Sequence, residues 1–230
     1  MFFDPLYLAF MLPGLALSLW ANFRTKSAFK KYSKIPSAAG LSGAQAAQRL
    51  LDSAGIDAVR VIRTKGFLSD HYNPINKTLA LSEEVHDSHS LSAIGVATHE
   101  AGHAIQHARN YGPLWVRSML VPTANIGSSV GYIVMAIGLF MASQNMVLVG
   151  AVLFSAVLLF QIVTLPVEFD ATRRAKELVV AQGIISPHER QGVDRVLNAA
   201  AMTYVAAAVS TLFTLLYFLL RSGLLGSNDD

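Results

Sequence analysis

The chain has 230 residues, no cysteine, 53% hydrophobic and 14% charged residues, a formal net charge of +3 and a mean hydropathy of +0.42. So apolar a composition excludes an ordinary soluble domain of this length, and the missing cysteine excludes disulfide frameworks and thiolate metal sites while being compatible with any compartment. The pI of about 9.2 does not argue for nucleic acid, because the basic residues gather beside apolar stretches.

Those stretches form four predicted membrane segments, 6–23, 123–142, 146–165 and about 199–220, each near the roughly 20 residues that cross a bilayer. The first contains Pro13, follows Asp4 rather than a basic run, and has no small-x-small cleavage site before its charged flank, so residues 1–23 read as a retained anchor. Arg24, Lys26, Lys30, Lys31 and Lys34 follow with no acid among them, which puts this end in the cytoplasm. A polar connection over 33–40 leads into a unit expected over 24–120. Residues 42–54 predict an amphipathic helix: Ser42 can cap it, Ala46, Ala47, Leu50, Leu51 and Ala54 line one face, and Gly55 suits the left-handed position after it. Residues 58–63 and 77–81 are strand candidates, separated by the turn-forming run Ser69-Asp70-His71-Tyr72-Asn73-Pro74. Lys77-Thr78-Leu79-Ala80-Leu81 is a candidate edge strand that would hold an extended peptide by main-chain pairing, and it reads equally well as a plain hairpin strand. His71, beside Asp70 and Tyr72, is a candidate for lining a cleft.

The next element carries chemistry. Residues 94–107 read I-G-V-A-T-H-E-A-G-H-A-I-Q-H, with Ser88 or Ser90 available as N-cap, an apolar stripe of Ile94, Ala97, Ala101, Ala104, Ile105 and Ala108, and a stop at Asn110-Tyr111-Gly112-Pro113. His99 and His103 are four apart, so on a helix both imidazoles can turn toward one ion. Glu100 beside them can hold and deprotonate a water activated by that ion. The alternative is a satisfied surface cluster of two histidines and an acid. His107 lies about 12 Å along the axis from His99, too far for all three to share one zinc, and reads as a supporting or packing residue. Arg109 stands where an extended H-E-x-x-H-x-x-G-x-x-H site needs its third histidine. His86, His89 and His188 have no ligand spacing and read as surface.

Residues 114–120 lead into the apolar pair. Ser143-Gln144-Asn145 alone joins its two arms, so 121–166 is a helical hairpin that returns the chain to the side it left. At the exit stands Pro166-Val167-Glu168-Phe169-Asp170-Ala171-Thr172-Arg173-Arg174. Two crossings put Glu168 on the same cytoplasmic side as His103, and a carboxylate at the end of a membrane helix is costly unless it is paired or functional, so Glu168 is the candidate third ligand. A salt bridge of Glu168 or Asp170 with Arg173 or Arg174 is the competing reading. The segment 167–198 is predicted helical to about Gly183. There Ser186-Pro187-His188-Glu189 supplies an N-cap, a proline at the first position and a capping-box glutamate for the next helix. That helix continues as the last membrane helix, 199–222. Asn198 and Tyr204 are candidate donors to an oxyanion, although an interfacial tyrosine is common. The tail, 223–230 with Asp229 and Asp230, is expected outside the cytoplasm.

Four runs together carry a resemblance: Leu68-Ser69-Asp70-His71-Tyr72-Asn73-Pro74, Ala97-Thr98-His99-Glu100-Ala101-Gly102-His103-Ala104-Ile105-Gln106-His107, Val167-Glu168-Phe169-Asp170-Ala171 and Ala199-Ala200-Ala201-Met202-Thr203-Tyr204. They resemble the YugP-type neutral zinc metallopeptidases of bacterial membranes over nearly the whole chain. The layout is also similar to the HtpX-like and CAAX prenyl proteases, where two membrane helices separate H-E-x-x-H from a glutamate ligand. Those relatives read E-x-x-x-D. Here Thr172 holds the aspartate's place and the acid is Asp170, which on a regular helix points away from Glu168.

The resemblance implies a mainly α membrane protein with about four transmembrane helices and a small α+β, zincin-like metalloprotease domain. One catalytic zinc would sit on His99, His103 and Glu168 with Glu100 as general base, and Asp170, His107, Tyr204 and His71 would be supporting candidates. The expected location is the cell membrane with the site on the cytoplasmic side. The expected partners are a peptide or protein substrate and the lipid bilayer, with no nucleic acid. A protease cutting within the bilayer and a non-catalytic zinc-binding membrane scaffold are the other two readings.

Overall fold

The structure is a computed structural model that describes residues 4–225. Among them are helices α1 (Pro5–Tyr32), α2 (Gly43–Ser53), α3 (Glu83–His86), α4 (Leu91–Ala108), α5 (Gly112–Ile126), α6 (Tyr132–Phe140), α7 (Gln144–Ala181) and α8 (Arg190–Arg221), with a π-helical turn at Gly127–Gly131 joining α5 to α6. Strands β1 (Arg60–Thr64), β2 (His71–Asn73) and β3 (Thr78–Ser82) form one small sheet. The protein is a mainly α membrane protein with a small α+β part. Four of its helical stretches, Pro5–Tyr32, Gly112–Phe140, Gln144–Ala181 and Arg190–Arg221, are long and apolar enough to cross a bilayer.

The chain divides into two compact units. One comprises the chain up to Ala21, Trp115–Leu165 and the part from Thr203 onward; the other comprises Asn22–Leu114 and Pro166–Met202. In the first unit the hairpin arms pack through glycine: a Cβ on Gly131 would come within 2.7 Å of the Phe154 nitrogen, so the backbones touch directly, as apolar helices in lipid often do. Met135, Val147, Phe154, Tyr217 and Phe218 fill its interior. Leu12, Leu15, Leu19, Val152 and Phe140 stay exposed, a surface suited to lipid.

The second unit has a conventional core of Leu50, Leu51, Leu79, Leu81, Ile94, Ala97, Ala101, Ile105, Val179, Val193 and Leu197. Helix α2 begins with a full capping box, the Ser42 hydroxyl accepting from the Gln45 N–H and the Gln45 side chain accepting from the Ser42 N–H. Gly55, at φ +70°, ends it as expected. Helix α4 is capped by Ser90, whose hydroxyl accepts from the Ala93 N–H. At 38 residues, α7 is about 57 Å long, far more than a bilayer needs, so its C-terminal part lies beyond the apolar stretch and packs in this second unit.

Several expectations from sequence are corrected. The strands expected at 58–63 and 77–81 are β1 and β3, but they pair in parallel. The hairpin is made by β2, in the stretch expected to be turn, which pairs antiparallel to β3. The order β1-β3-β2 makes β3 the central strand, with all five residues buried, so Lys77-Thr78-Leu79-Ala80-Leu81 is not an edge; β2 and β1 are. Arg24, Lys26, Lys30 and Lys31, which follow the first membrane segment, ride on the same continuous helix α1. The helix that carries the first hairpin arm begins at Gly112, ahead of the membrane segment expected from 123. Ser186 to Glu189 form a turn ahead of α8, the Glu189 carboxylate accepting from the N–H groups of Ser186 and Ala38. The tail acids Asp229 and Asp230 lie outside the described residues.

Candidate metal centre

Helix α4 places Gly102 between the two histidines, and that smallness lets another helix in. A Cβ on Gly102 would sit 2.8 Å from the Ala171 carbonyl oxygen, so α7 crosses α4 in backbone contact between the two histidines. One turn before Ala171 on α7 is Glu168, 1% exposed. Its Oε2 lies 3.2 Å from His99 Nε2 and 3.4 Å from His103 Nε2. One donor atom from each of the three residues falls within 4.8 Å of the others.

The chemistry of this set fits a divalent zinc ion. Two imidazole nitrogens and a carboxylate oxygen are ordinary zinc donors, and three of them leave a coordination position for a reactant. The far side of each ring is also engaged, His99 Nδ1 with the Thr172 hydroxyl at 3.3 Å and His103 Nδ1 with Gln106 Oε1 at 3.0 Å, so both Nε2 atoms face inward. Such backing fixes ring orientation in metal sites.

Electrostatics follow from the burial. Desolvation works to raise the Glu168 carboxyl, but hydrogen bonds and charge from His103 and His99 outweigh it and hold the group well below the usual carboxylate range. Burial would lower His103, yet Glu168, Glu100 and Gln106 raise it above the ordinary histidine value. Burial pushes the Asp70 carboxyl up, against hydrogen bonds from the Ser82 N–H and hydroxyl, and the charge of Glu100 adds to the push.

The other predicted residues separate. Asp170, expected as a supporting residue, lies outside the cluster and accepts from Gln106 Nε2 at 2.9 Å, from Arg174 Nε at 2.6 Å and from Arg173. Asp170 points away from Glu168 as expected and meets His103 only through Gln106. His107 Nδ1 bonds the Tyr72 hydroxyl at 2.8 Å, tying α4 to β2. His71 is exposed and bonds its own loop at the Ser69 carbonyl, 2.9 Å away. Asn198 is exposed and bonded to Lys176, and Tyr204 belongs to the other unit. Gln106 and Thr172 were missed as site residues. The signal was there for both, a glutamine three residues after His103 on an apolar face and a hydroxyl four residues after Glu168.

The sequence matches the family described as "Putative neutral zinc metallopeptidase" over residues 7–223. The chain belongs to that family. A relative described as "Putative membrane protease YugP", from Bacillus subtilis strain 168, is 45% identical over 215 residues, covering 94% of this chain and 96% of that protein. No solved structure matches. In this family context the His99, His103 and Glu168 cluster is a group that could hold the metal.

Proposed function

We propose that the protein hydrolyses peptide bonds at a zinc ion held by His99, His103 and Glu168, with Glu100 as the general base. The observation that carries this reading is the convergence of the three donor atoms within 4.8 Å, from residues 69 positions apart at the extremes. Zinc bound there supplies Lewis acidity, lowering the pKa of a water toward 7 and polarising the scissile carbonyl. Glu100, half-buried and adjacent to His99 on α4, takes the proton of the attacking water on its carboxylate and delivers it to the leaving amine nitrogen. The buried Glu168 and the two histidines orient the reacting groups and exclude bulk water from one side.

A catalytic site is favoured over a structural scaffold because the cluster among the described residues has three ligands where a closed structural site has four. Cleavage outside the bilayer is favoured because α4 is not one of the four span-forming stretches found among the described residues. The cytoplasmic side is favoured because the basic run Arg24, Lys26, Lys30, Lys31 and Lys34 belongs to the same unit as the histidine pair.

The test combines zinc content with chelator-sensitive cleavage of casein or a peptide library. Glu100→Gln should keep zinc and lose about 100-fold or more in rate, whereas His103→Ala and Glu168→Ala should lose the metal. Full zinc content in Glu168→Ala would remove Glu168 from the ligand set, and zinc without cleavage by the wild type would favour the scaffold.

A further inference from the structure

Gln106 is completely buried, and its amide can stand only one way round. Its nitrogen donates to the Val167 carbonyl oxygen at 2.8 Å and to Asp170 Oδ2 at 2.9 Å. Neither partner can donate: a carbonyl has no proton, and the Asp170 carboxylate is held as an acceptor by Arg173 and Arg174. The amide oxygen, which accepts only, therefore faces His103 Nδ1 at 3.0 Å. Two acceptors cannot bond, so Nδ1 carries a hydrogen, and Nε2, the nitrogen 3.4 Å from Glu168 Oε2, is the one left for a metal.

We propose that Asp170, acting through Gln106, sets the tautomer of His103 and thereby makes Nε2 its metal-binding atom. Asp170 and Gln106 are positioning residues, and this inference rests on the zinc reading above. It also assigns the two α7 positions after Glu168 separate duties. Thr172, one turn on, backs His99 at 3.3 Å, while Asp170, pointing elsewhere on the helix, backs His103 through a side chain borrowed from α4. The direct aspartate of an E-x-x-x-D pattern is thus divided between a hydroxyl and a carboxylate–amide relay.

The test uses full-length protein in nanodiscs with 15N-labelled histidine. In the zinc-loaded wild type the His103 ring should keep its proton on Nδ1 and bind through Nε2. Gln106→Met, of similar volume, should weaken zinc binding about 10–100-fold in competition with a chelator, with the His99 signals, held by Thr172, unmoved. Asp170→Asn, a nearly isosteric change, takes the charge from one of the two acceptors that fix the Gln106 amide and leaves the Val167 carbonyl as the other; it should weaken zinc binding several-fold and loosen the preference of His103 for a proton on Nδ1. Should Gln106→Met not fold, Asp170→Asn decides alone. Zinc bound through Nδ1 of His103, or zinc affinity within twofold of wild type in the folded variants, would overturn this assignment and leave the zinc reading intact. A wild type that binds no zinc would overturn both.

Discussion

Replacing Gly102 by alanine tests whether the α4–α7 crossing builds the site. The added Cβ would lie 2.8 Å from the Ala171 carbonyl oxygen and 3.3 Å from its Cα. Both neighbours are backbone inside a helix and cannot swing away as a side chain would. Restoring ordinary contact, which begins at 3.4 Å, requires the helices to part by about 0.6 Å (3.4 − 2.8). Overpacking of this kind costs about 1–3 kcal/mol, which corresponds to a melting temperature lower by roughly 2–12 °C for a chain of this size. The same displacement draws Glu168 away from His99 and His103, and zinc affinity should fall by about tenfold or more, since such sites tolerate about 0.5 Å of error. The control is Gly95→Ala on the same helix, where the nearest atom is Val193 Cγ1 at 3.4 Å. That contact is tolerable and the alanine improves helix propensity by up to about 1 kcal/mol. Differential scanning fluorimetry and chelator competition on the two variants should therefore move in opposite directions for stability. A Gly102→Ala protein as stable as wild type with unchanged zinc affinity would refute the reasoning.

Further outcomes are expected elsewhere. Thr172→Val, isosteric but without the hydroxyl that meets His99 Nδ1, should retain the fold and bind zinc about tenfold more weakly; chelator competition reads this, and unchanged affinity would show that the hydroxyl has no orienting role. Burial works to raise the Glu189 carboxyl, but the N–H groups of Ser186 and Ala38 hold it below its ordinary value of 4.5. Its contribution is therefore complete above pH 4.5 and disappears as pH falls through the depressed value. Glu189→Gln should lower stability by about 1 kcal/mol at neutral pH, and denaturant titrations should show that gap closing in acid and not in base. Ala142→Gly should stabilise by about 0.5–1 kcal/mol in thermal unfolding, because Ala142 is left-handed at φ +51° in the turn after α6.

Much of this arrangement was legible in the chain itself. The i, i+4 histidines needed only helical periodicity, and Glu168 needed only a count of apolar crossings. Ser42, Ser90, Gly55 and Gly183 marked helix ends by local chemistry that tertiary contacts did not override. The sheet was harder. Ser69-Asp70-His71-Tyr72-Asn73-Pro74 has turn composition, yet His71, Tyr72 and Asn73 pair with β3 and Tyr72 reaches His107, so packing prevailed over propensity. The run T-L-A-L-S sets leucines on one face and only small, uncharged residues on the other, which suits a buried central strand and should have warned against an edge. Gln106 and Thr172 are commonplace residues whose partners, 61 and 73 positions away, come near only because Gly102 admits α7.

The 69 positions between His99 and Glu168 also impose an order of events. A growing polypeptide emerges from the ribosome with its histidines first and its acid last, and the apolar hairpin comes between. The chain thus leaves the ribosome without its complete cluster and can close one only after the apolar hairpin has been made.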